Sequence, residues 1–185
     1  MTRLYGFLGA TLIVAGCTSP APAPAPEPAA APAAKPYSSL AQVMRGIPFP
    51  NSNIIFDAQS SDPGAQKKPT DTAGAGASAQ YSSVYGGWQA VENAALALSE
   101  TANLIMIPGR LCENGRPVPL DREDYRKFAA GLADAGLAAY KAAQSKNLDA
   151  MVEVAGTVSD ACAACHEVYR EKPDNKDRCT PPAGK

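Results

Sequence analysis

Apolar residues recur at steps of three and four along most of the second half of the chain, which is the period of a helix with one buried face. The pattern predicts three long helices over residues 80–107, 122–146 and 148–172, separated at Pro108 and Asn147. Only 6% of the residues are aromatic, and no stretch alternates as a strand does. With a shorter helix before them, these segments predict an all-α fold, an antiparallel four-helix bundle.

The first helix is predicted to be short. Residues 37–47 begin with a serine, Ser38 or Ser39, that can cap a helix, and Pro48 and Pro50 break it. Its apolar side is formed by Leu40, Val43, Met44 and Ile47.

The segments after this helix are predicted from their turn and capping residues. Residues 51–59 resume a helical turn, and the polar, glycine-rich residues 60–79 are expected to form a mobile loop. Asp121 is expected to cap the third helix, and Asn147 the fourth. The buried face predicted for the fourth helix consists of Leu148, Met151, Val152, Ala155, Val158, Cys162, Cys165 and Tyr169.

The N-terminus has the features of an export signal. Residues 1–16 contain one basic residue followed by an apolar run too short to cross a bilayer. The run ends in "VAGC", which resembles the lipobox of bacterial lipoproteins, and this resemblance implies that Cys17 is lipidated. An ordinary signal peptide cleaved nearby is the alternative. Residues 17–36, rich in alternating Pro and Ala, are predicted to be an extended tether. Because Thr18 follows the cysteine, the resemblance implies an outer-membrane anchor if the cell is Gram-negative.

The sequence Cys162-Ala-Ala-Cys165-His166 has the c-type haem attachment pattern. Residues three apart lie on one face of a helix, so two thiols there can add to the two haem vinyl groups. His166 follows directly and can turn its imidazole to the iron as proximal ligand. The motif therefore predicts haem c, attached through Cys162 and Cys165 on the last helix.

Three other interpretations of the two cysteines are weighed against haem. A redox pair belongs at a strand-to-helix junction, and no strand is predicted. A zinc site needs a further ligand, which Cys112 or Cys179 would have to supply. A disulfide between Cys162 and Cys165 is awkward within a helix.

His166 is the only histidine in the chain, so the other face of the iron is left to methionine, to a weaker ligand or to an open site. Met151 lies on the same helix, about 22 Å away at 1.5 Å per residue, and cannot face the same iron. Met106 is interpreted as a core residue. Met44, on the first helix, can reach across a bundle, although methionines on apolar faces are more often core residues than ligands.

With the motif near the end of the last of four helices, the chain resembles class II c-type cytochromes, the cytochrome c-prime type. The resemblance covers residues 37–172 and is specific at "CAACHEVYR", which includes the aromatic and arginine pair Tyr169 and Arg170. It implies an electron carrier where a first-helix methionine, here Met44 beside Arg45, binds iron. It implies a five-coordinate protein that binds NO or CO where that ligand is missing.

The remaining cysteines and several arginines complete the candidate site. Cys112 and Cys179 are an even pair in loops of an exported protein and are predicted to form a disulfide. This pair would place the end of the cytochrome domain at residue 179, leaving residues 180–185 as a tail. Guanidinium groups suit haem propionates, with Arg170 and Arg45 favoured. The candidates are Arg45, Arg110, Arg116 and Arg170, and solvated surface charge is the alternative for each.

The chain carries 17 basic and 18 acidic residues, which argues against a nucleic-acid partner. The sequence predicts a monohaem electron carrier, not an enzyme, anchored in the bacterial envelope, facing the periplasm and meeting redox partner proteins there. A five-coordinate NO- or CO-binding protein is the main alternative, and a haem-free structural lipoprotein is the third. The family resemblance adds a homodimer as a candidate state.

Overall fold

The computed structural model describes residues 34–65 and 86–180. The predicted signal peptide, Cys17, most of the tether, residues 66–79 of the predicted loop, residues 80–85 of the predicted second helix and residues 181–185 lie outside the described residues. Within the described ranges, no helix combines the length and the hydrophobicity that a membrane span requires.

Five α-helices build the described part of the chain, and no strand accompanies them there beyond an isolated bridge between Leu111 and Pro117. Helices α3, α4 and α5 are long and consecutive. Helix α1 lies within the predicted first helix, and α2 covers the prolines and most of the turn predicted after them. A short 3-10 helix ends the described chain. The elements are α1 (Leu40–Gly46), α2 (Pro48–Asp57), α3 (Gly87–Ile105), α4 (Glu123–Ser145), α5 (Leu148–Tyr169) and the 3-10 helix (Asn175–Asp177).

Four helices, α2 to α5, pack against one another as a bundle. Helix α3 packs on α4, α4 packs on α5, and α2 closes the arrangement by contacting both α3 and α5. Only Lys146 and Asn147 separate α4 from α5, and so short a link makes the two helices antiparallel neighbours. The all-α prediction is confirmed at this level.

The first predicted helix ends before Pro48, as expected, and a second helix begins at that proline. Ser39 caps α1 in a reciprocal pair with Gln42: the Ser39 hydroxyl accepts from the Gln42 amide at 3.3 Å, and the Gln42 side chain accepts from the Ser39 amide at 2.9 Å. The helix stops at Gly46. Pro48 then starts α2 at a position where a missing N–H costs nothing. The expected single turn after the prolines is therefore a full helix of 10 residues.

Two details of the later helices differ from the predictions. The N-cap of α4 is Arg122, not Asp121, and it makes no side-chain capping bond. Helix α5 begins at its predicted cap, where Asn147 Oδ1 accepts from the Ala150 amide at 3.1 Å, but it ends at Tyr169 instead of continuing to about Lys172. The Tyr169–Arg170 boundary leaves the arginine outside the regular helix.

The buried face of α5 is narrower than predicted. Met151 is fully buried, whereas Leu148 and Val152 are 39% and 49% exposed. At 3.6 residues per turn, Val152 lies about 100° around the helix from Met151, and Leu148 about 60°. Both therefore sit at or beyond the edge of the face that contacts α4 and α2.

The main core fills the middle of the bundle with small and branched side chains, including Ile55, Leu98, Met151 and Val158. The closest approach is between α3 and α4 at Gly136. A Cβ atom at that position would lie 2.4 Å from Ser99 Oγ and 2.8 Å from Ala95 O, so only glycine fits without movement. Ser99 Oγ also donates to Ala133 O across the interface at 3.0 Å.

Candidate functional site

The Cys-X-X-Cys-His motif lies in the last two turns of α5, and its thiols face the first two helices. Cys162 and Cys165 are half-buried free thiols, and neither is joined in a disulfide. Two cavities lie between this part of α5 and the chain of α1 and α2. His166 lines both cavities, and each cysteine of the motif lines one of them.

The loop-side cavity has a volume of about 410 Å³. It is bounded by α1, by the segment after α3, by the first turn of α4 and by the C-terminal segment. Its own lining residues include Leu40, Cys112, Tyr125, Cys165, Tyr169 and Cys179.

The helix-side cavity has a volume of about 430 Å³ and lies between α2 and α5. Its own lining residues include Pro48, Phe49, Ser52, Phe56, Ser159 and Cys162. Volumes of this size are typical of sites for cofactors and small ligands.

Met44 and His166 line both cavities, one from α1 and the other from α5. One cysteine of the motif borders each space: Cys165 the loop-side cavity and Cys162 the helix-side cavity. The structure therefore brings together the four residues that the sequence predicted for a haem site. It places empty volume on two sides of the methionine and the histidine.

Burial sets the protonation of the motif. Desolvation raises the pKa of Cys165 to about 12, with further contributions from Cys162 and Asp124, and burial also raises the pKa of Cys162. The pKa of His166 is lowered by its burial and by the nearby Arg170 guanidinium. At neutral pH the motif therefore holds two thiols and a neutral imidazole, and a neutral imidazole is the form that binds a metal.

A hydrogen-bonded network ties the end of α5 to the start of α4. The Tyr169 hydroxyl donates to Asp124 Oδ1 at 2.8 Å, and the Arg122 guanidinium donates to both oxygens of the same carboxylate at 3.1 and 2.9 Å. The bonds from Arg122 and Tyr169 lower the pKa of Asp124 to about 2. Tyr169 also packs edge to face on Tyr125, with ring centroids 5.4 Å apart.

The C-terminal segment forms one wall of the loop-side cavity. Cys112 and Cys179, the predicted pair, form a disulfide with Cα atoms 6.6 Å apart. The Cys179 amide donates to Tyr169 O at 2.9 Å, and the Asn114 side chain donates to backbone carbonyls of the segment at Asn175, Lys176 and Arg178. These bonds hold the segment against the loop after α3.

The arginines predicted to bind propionates differ in their partners. Arg45 donates to Glu113 Oε1 at 2.8 Å, and Arg170 is paired with its neighbour Glu171. Both arginines line both cavities, so they remain close to any group bound there.

Two further arginines from the candidate set have structural roles. Buried Arg110 donates to Leu104 O at the end of α3 and to Ser38 O, where its charge complements the negative end of the helix. Arg116 donates to Lys176 O at 2.9 Å and supports the C-terminal segment. Neither lines the two cavities.

Two other methionines among the described residues do not line the cavities. Met151 is fully buried in the main core. Met106 packs at the end of α3 in two smaller clusters, one of which contains Cys165 and the other Met44. Among these three methionines, Met44 is the one that lines both cavities.

Two polar residues of the loop-side cavity were not predicted from the sequence. Tyr125 is 2% exposed, and its hydroxyl has no hydrogen-bond partner among the described residues. The Nε of Arg178 is likewise buried without a partner there. Tyr125 was interpreted as part of an apolar stripe. The position of Arg178 depends on the disulfide next to it, and no local pattern marks it.

The competing uses of the cysteines fit the structure poorly. Cys112 and Cys179 are joined to each other and cannot complete a zinc site. Across residues 34–65 and 86–180, no group of three or more His, Cys, Asp or Glu side chains is arranged to hold an ion. Comparison of the chain with protein-family models, curated protein sequences and solved structures found no match.

Proposed function

We propose that the chain is a monohaem c-type cytochrome that transfers single electrons, with haem c attached to Cys162 and Cys165. The observation that supports this most is that Met44 and His166 border both cavities while each cysteine of the motif borders one. Haem held by His166 and Met44 would need space beside both residues, and both cavities border this pair.

The chain's own residues would have separate tasks in such a site. The α5 helix holds the two thiols at a fixed spacing, and the thioether bonds would make retention of the group independent of non-covalent affinity. The neutral imidazole of His166 is available as a ligand because burial and Arg170 oppose its protonation. Haem iron would supply the exchange between ferric and ferrous states.

Met44 decides between the two haem functions. If its sulfur bound the iron, the site would be closed to added ligands. It would then suit electron transfer, because a methionine ligand raises the reduction potential of haem iron. With Met44 elsewhere in the cavities, the distal position is open to NO or CO. The position of Met44 at both cavities favours the electron carrier. Electron transfer of this kind would need no catalytic residue.

A pyridine haemochrome spectrum of the purified full-length chain tests for haem c directly. We expect one haem per chain, and its absence would leave the haem-free lipoprotein as the better account. A second spectrum before and after CO distinguishes the two haem functions. A low-spin spectrum that CO does not change supports the electron carrier. A high-spin spectrum that shifts readily when CO is added supports the gas-binding protein.

Replacing Met44 is the matching mutational test. We expect Met44→Ala to convert a low-spin, CO-insensitive spectrum to a high-spin, CO-sensitive one, because the distal ligand is removed while His166 and both thiols remain. Met106→Ala is the control, since Met106 lies outside both cavities. Identical spectra for Met44→Ala and the unaltered protein would remove Met44 from the site.

We also propose that the protein is held in the bacterial envelope by lipid on Cys17, facing the periplasm and exchanging electrons with partner proteins there. The support is the N-terminal sequence alone. Metabolic labelling with radioactive palmitate should mark the unaltered protein and not Cys17→Ser. Equal labelling of the two proteins would contradict lipidation at this residue.

A further inference from the structure

Two residues that line the loop-side cavity carry buried hydrogen-bond donors without a partner among the described residues. These donors are the Tyr125 hydroxyl and Arg178 Nε. A buried donor without an acceptor loses the hydrogen bonds that water gives it in the unfolded chain. Both residues line the same cavity of about 410 Å³, and a group bound against them there would be a candidate acceptor.

The charges around this cavity are also unbalanced. Three guanidinium groups and two carboxylates line it. Arg45 is paired with Glu113 at 2.8 Å and Arg170 with Glu171, which leaves Arg178 with only a longer contact of 3.5 Å to Glu113 Oε2. The cavity therefore has one positive charge in excess among its lining side chains, and that charge belongs to Arg178.

A ligand that matches one excess positive charge and one neutral hydrogen-bond donor is a single carboxylate. A carboxylate accepts several hydrogen bonds and carries one negative charge, and arginine binds it more strongly than it binds a neutral acceptor. We propose that Tyr125 and Arg178 bind a carboxylate in the loop-side cavity and that this carboxylate is a propionate of the haem. The second part rests on the proposed function, whereas the carboxylate site itself does not.

This assignment gives the C-terminal segment a role in the site. The disulfide and the bonds from Asn114 hold Arg178 against the cavity, so the arginine is already positioned when the ligand binds. Arg178 and Tyr125 are positioning residues in this account, because they would fix the cofactor's edge without touching the iron.

The test for the haem propionate uses infrared difference spectra between the reduced and oxidised full-length holoprotein, with ¹³C in the propionate carboxyl groups. The isotope identifies the propionate bands. We expect a propionate carboxylate band to shift in Tyr125→Phe, which removes only the hydroxyl, and in Arg178→Met, which keeps the aliphatic stem. Tyr140→Phe is the control, since Tyr140 lies on the same helix and does not line the cavity.

A propionate band that Tyr125→Phe leaves unmoved would overturn the assignment to haem, whatever Arg178→Met does. If the unaltered chain purifies without haem, the proposed function fails, and the carboxylate site is tested alone. Sodium propionate is then titrated into protein labelled with ¹⁵N in arginine, and the Arg178 Nε–H signal is followed by NMR. A saturable shift that weakens at least about tenfold in Tyr125→Phe, a loss of about 1.4 kcal/mol, supports the site. A signal that does not move overturns it.

Discussion

The α3–α4 interface and the loop-side cavity are built in opposite ways. At the interface, Gly136 lies so close to Ala95 and Ser99 that a single methyl group does not fit. At the cavity, the walls are held by a disulfide and by hydrogen bonds, and the Tyr125 hydroxyl has no partner among the described residues. Close helix packing, with a hydrogen bond from Ser99 to Ala133, therefore stabilises the first region, whereas a crosslink and backbone hydrogen bonds fix the walls of the second around a cavity.

Breaking the disulfide should have the largest effect, and it should fall on the cavity side. Cys112 and Cys179 are 67 residues apart, and closing a loop of that length lowers the entropy of the unfolded chain enough to contribute about 4 kcal/mol. We expect Cys112→Ser with Cys179→Ser to lower the free energy of unfolding in urea by about this amount. Retention of the α-helical circular dichroism signal before unfolding would show that the helices still pack. A loss below about 1 kcal/mol would mean that Asn114 and its neighbours hold the segment without the bond.

Filling the close helix contact should be the next largest effect. The methyl group of Gly136→Ala pushes Ser99 and the α3 backbone away from α4. Overpacking of this kind typically lowers the free energy of unfolding by about 1–3 kcal/mol. The matched control is Gly131→Ala on the same helix, where an added Cβ atom meets nothing within 4 Å. Because alanine is the better helix former, the control should gain about 0.5–1 kcal/mol in the same urea experiment. Two variants with the same change in stability would show that the contact is not tight.

The Asp124 network joins the start of α4 to Tyr169 beside the loop-side cavity and should contribute a smaller, pH-dependent effect. The folded-state pKa of Asp124 is lowered from 3.8 to about 2. Its stabilisation is therefore present above about pH 4 and is lost as the pH falls from about 4 to 2. The carboxylate is 31% exposed, so solvent screening reduces the expected gain to about 1 kcal/mol.

Asp124→Asn measures this contribution directly. Its free energy of unfolding should fall below that of the unaltered protein at pH 6, and the two curves should converge near pH 2. Asp134→Asn, on the same helix and exposed, serves as control. A difference between Asp124→Asn and the unaltered protein that stays constant down to pH 2 would exclude the carboxylate charge as its cause.

The helices were predictable because each long segment repeats one apolar period. Met151, Ala155 and Val158 were placed correctly on the buried face of α5, since the pattern and the packing agree there. Leu148 and Val152 were placed on that face incorrectly. The apolar pattern does not show how wide a face of α5 the neighbouring helices cover. The end of the first helix before Pro48 was predicted correctly, but the length of the next helix was underestimated, because proline suits the first turn of a helix as well as the end of one.

The common location of Cys162, Cys165 and His166 on α5 was predictable because the motif has a local spacing. Met44 was proposed from the family resemblance, and in the structure it lines both cavities together with His166. Tyr125 and Arg178 were beyond reach of the sequence. Both line the loop-side cavity and carry an unpaired buried atom among the described residues, and whether a side chain finds a partner depends on every element that packs around it.

The link between Cys112 and Cys179 also matters for how the chain matures. Four thiols can be paired completely in three ways, and all three would consume Cys162 and Cys165. Only a single disulfide between Cys112 and Cys179 leaves both of them free. Hydrogen bonds from Asn114 and from the Cys179 amide bring one pair together, so the productive pairing is favoured by the folded backbone itself. Once that pair is oxidised, burial keeps Cys162 and Cys165 protonated. A thiol attacks a disulfide more slowly than a thiolate does, so exchange with the crosslink is slowed and the two thiols of α5 are preserved.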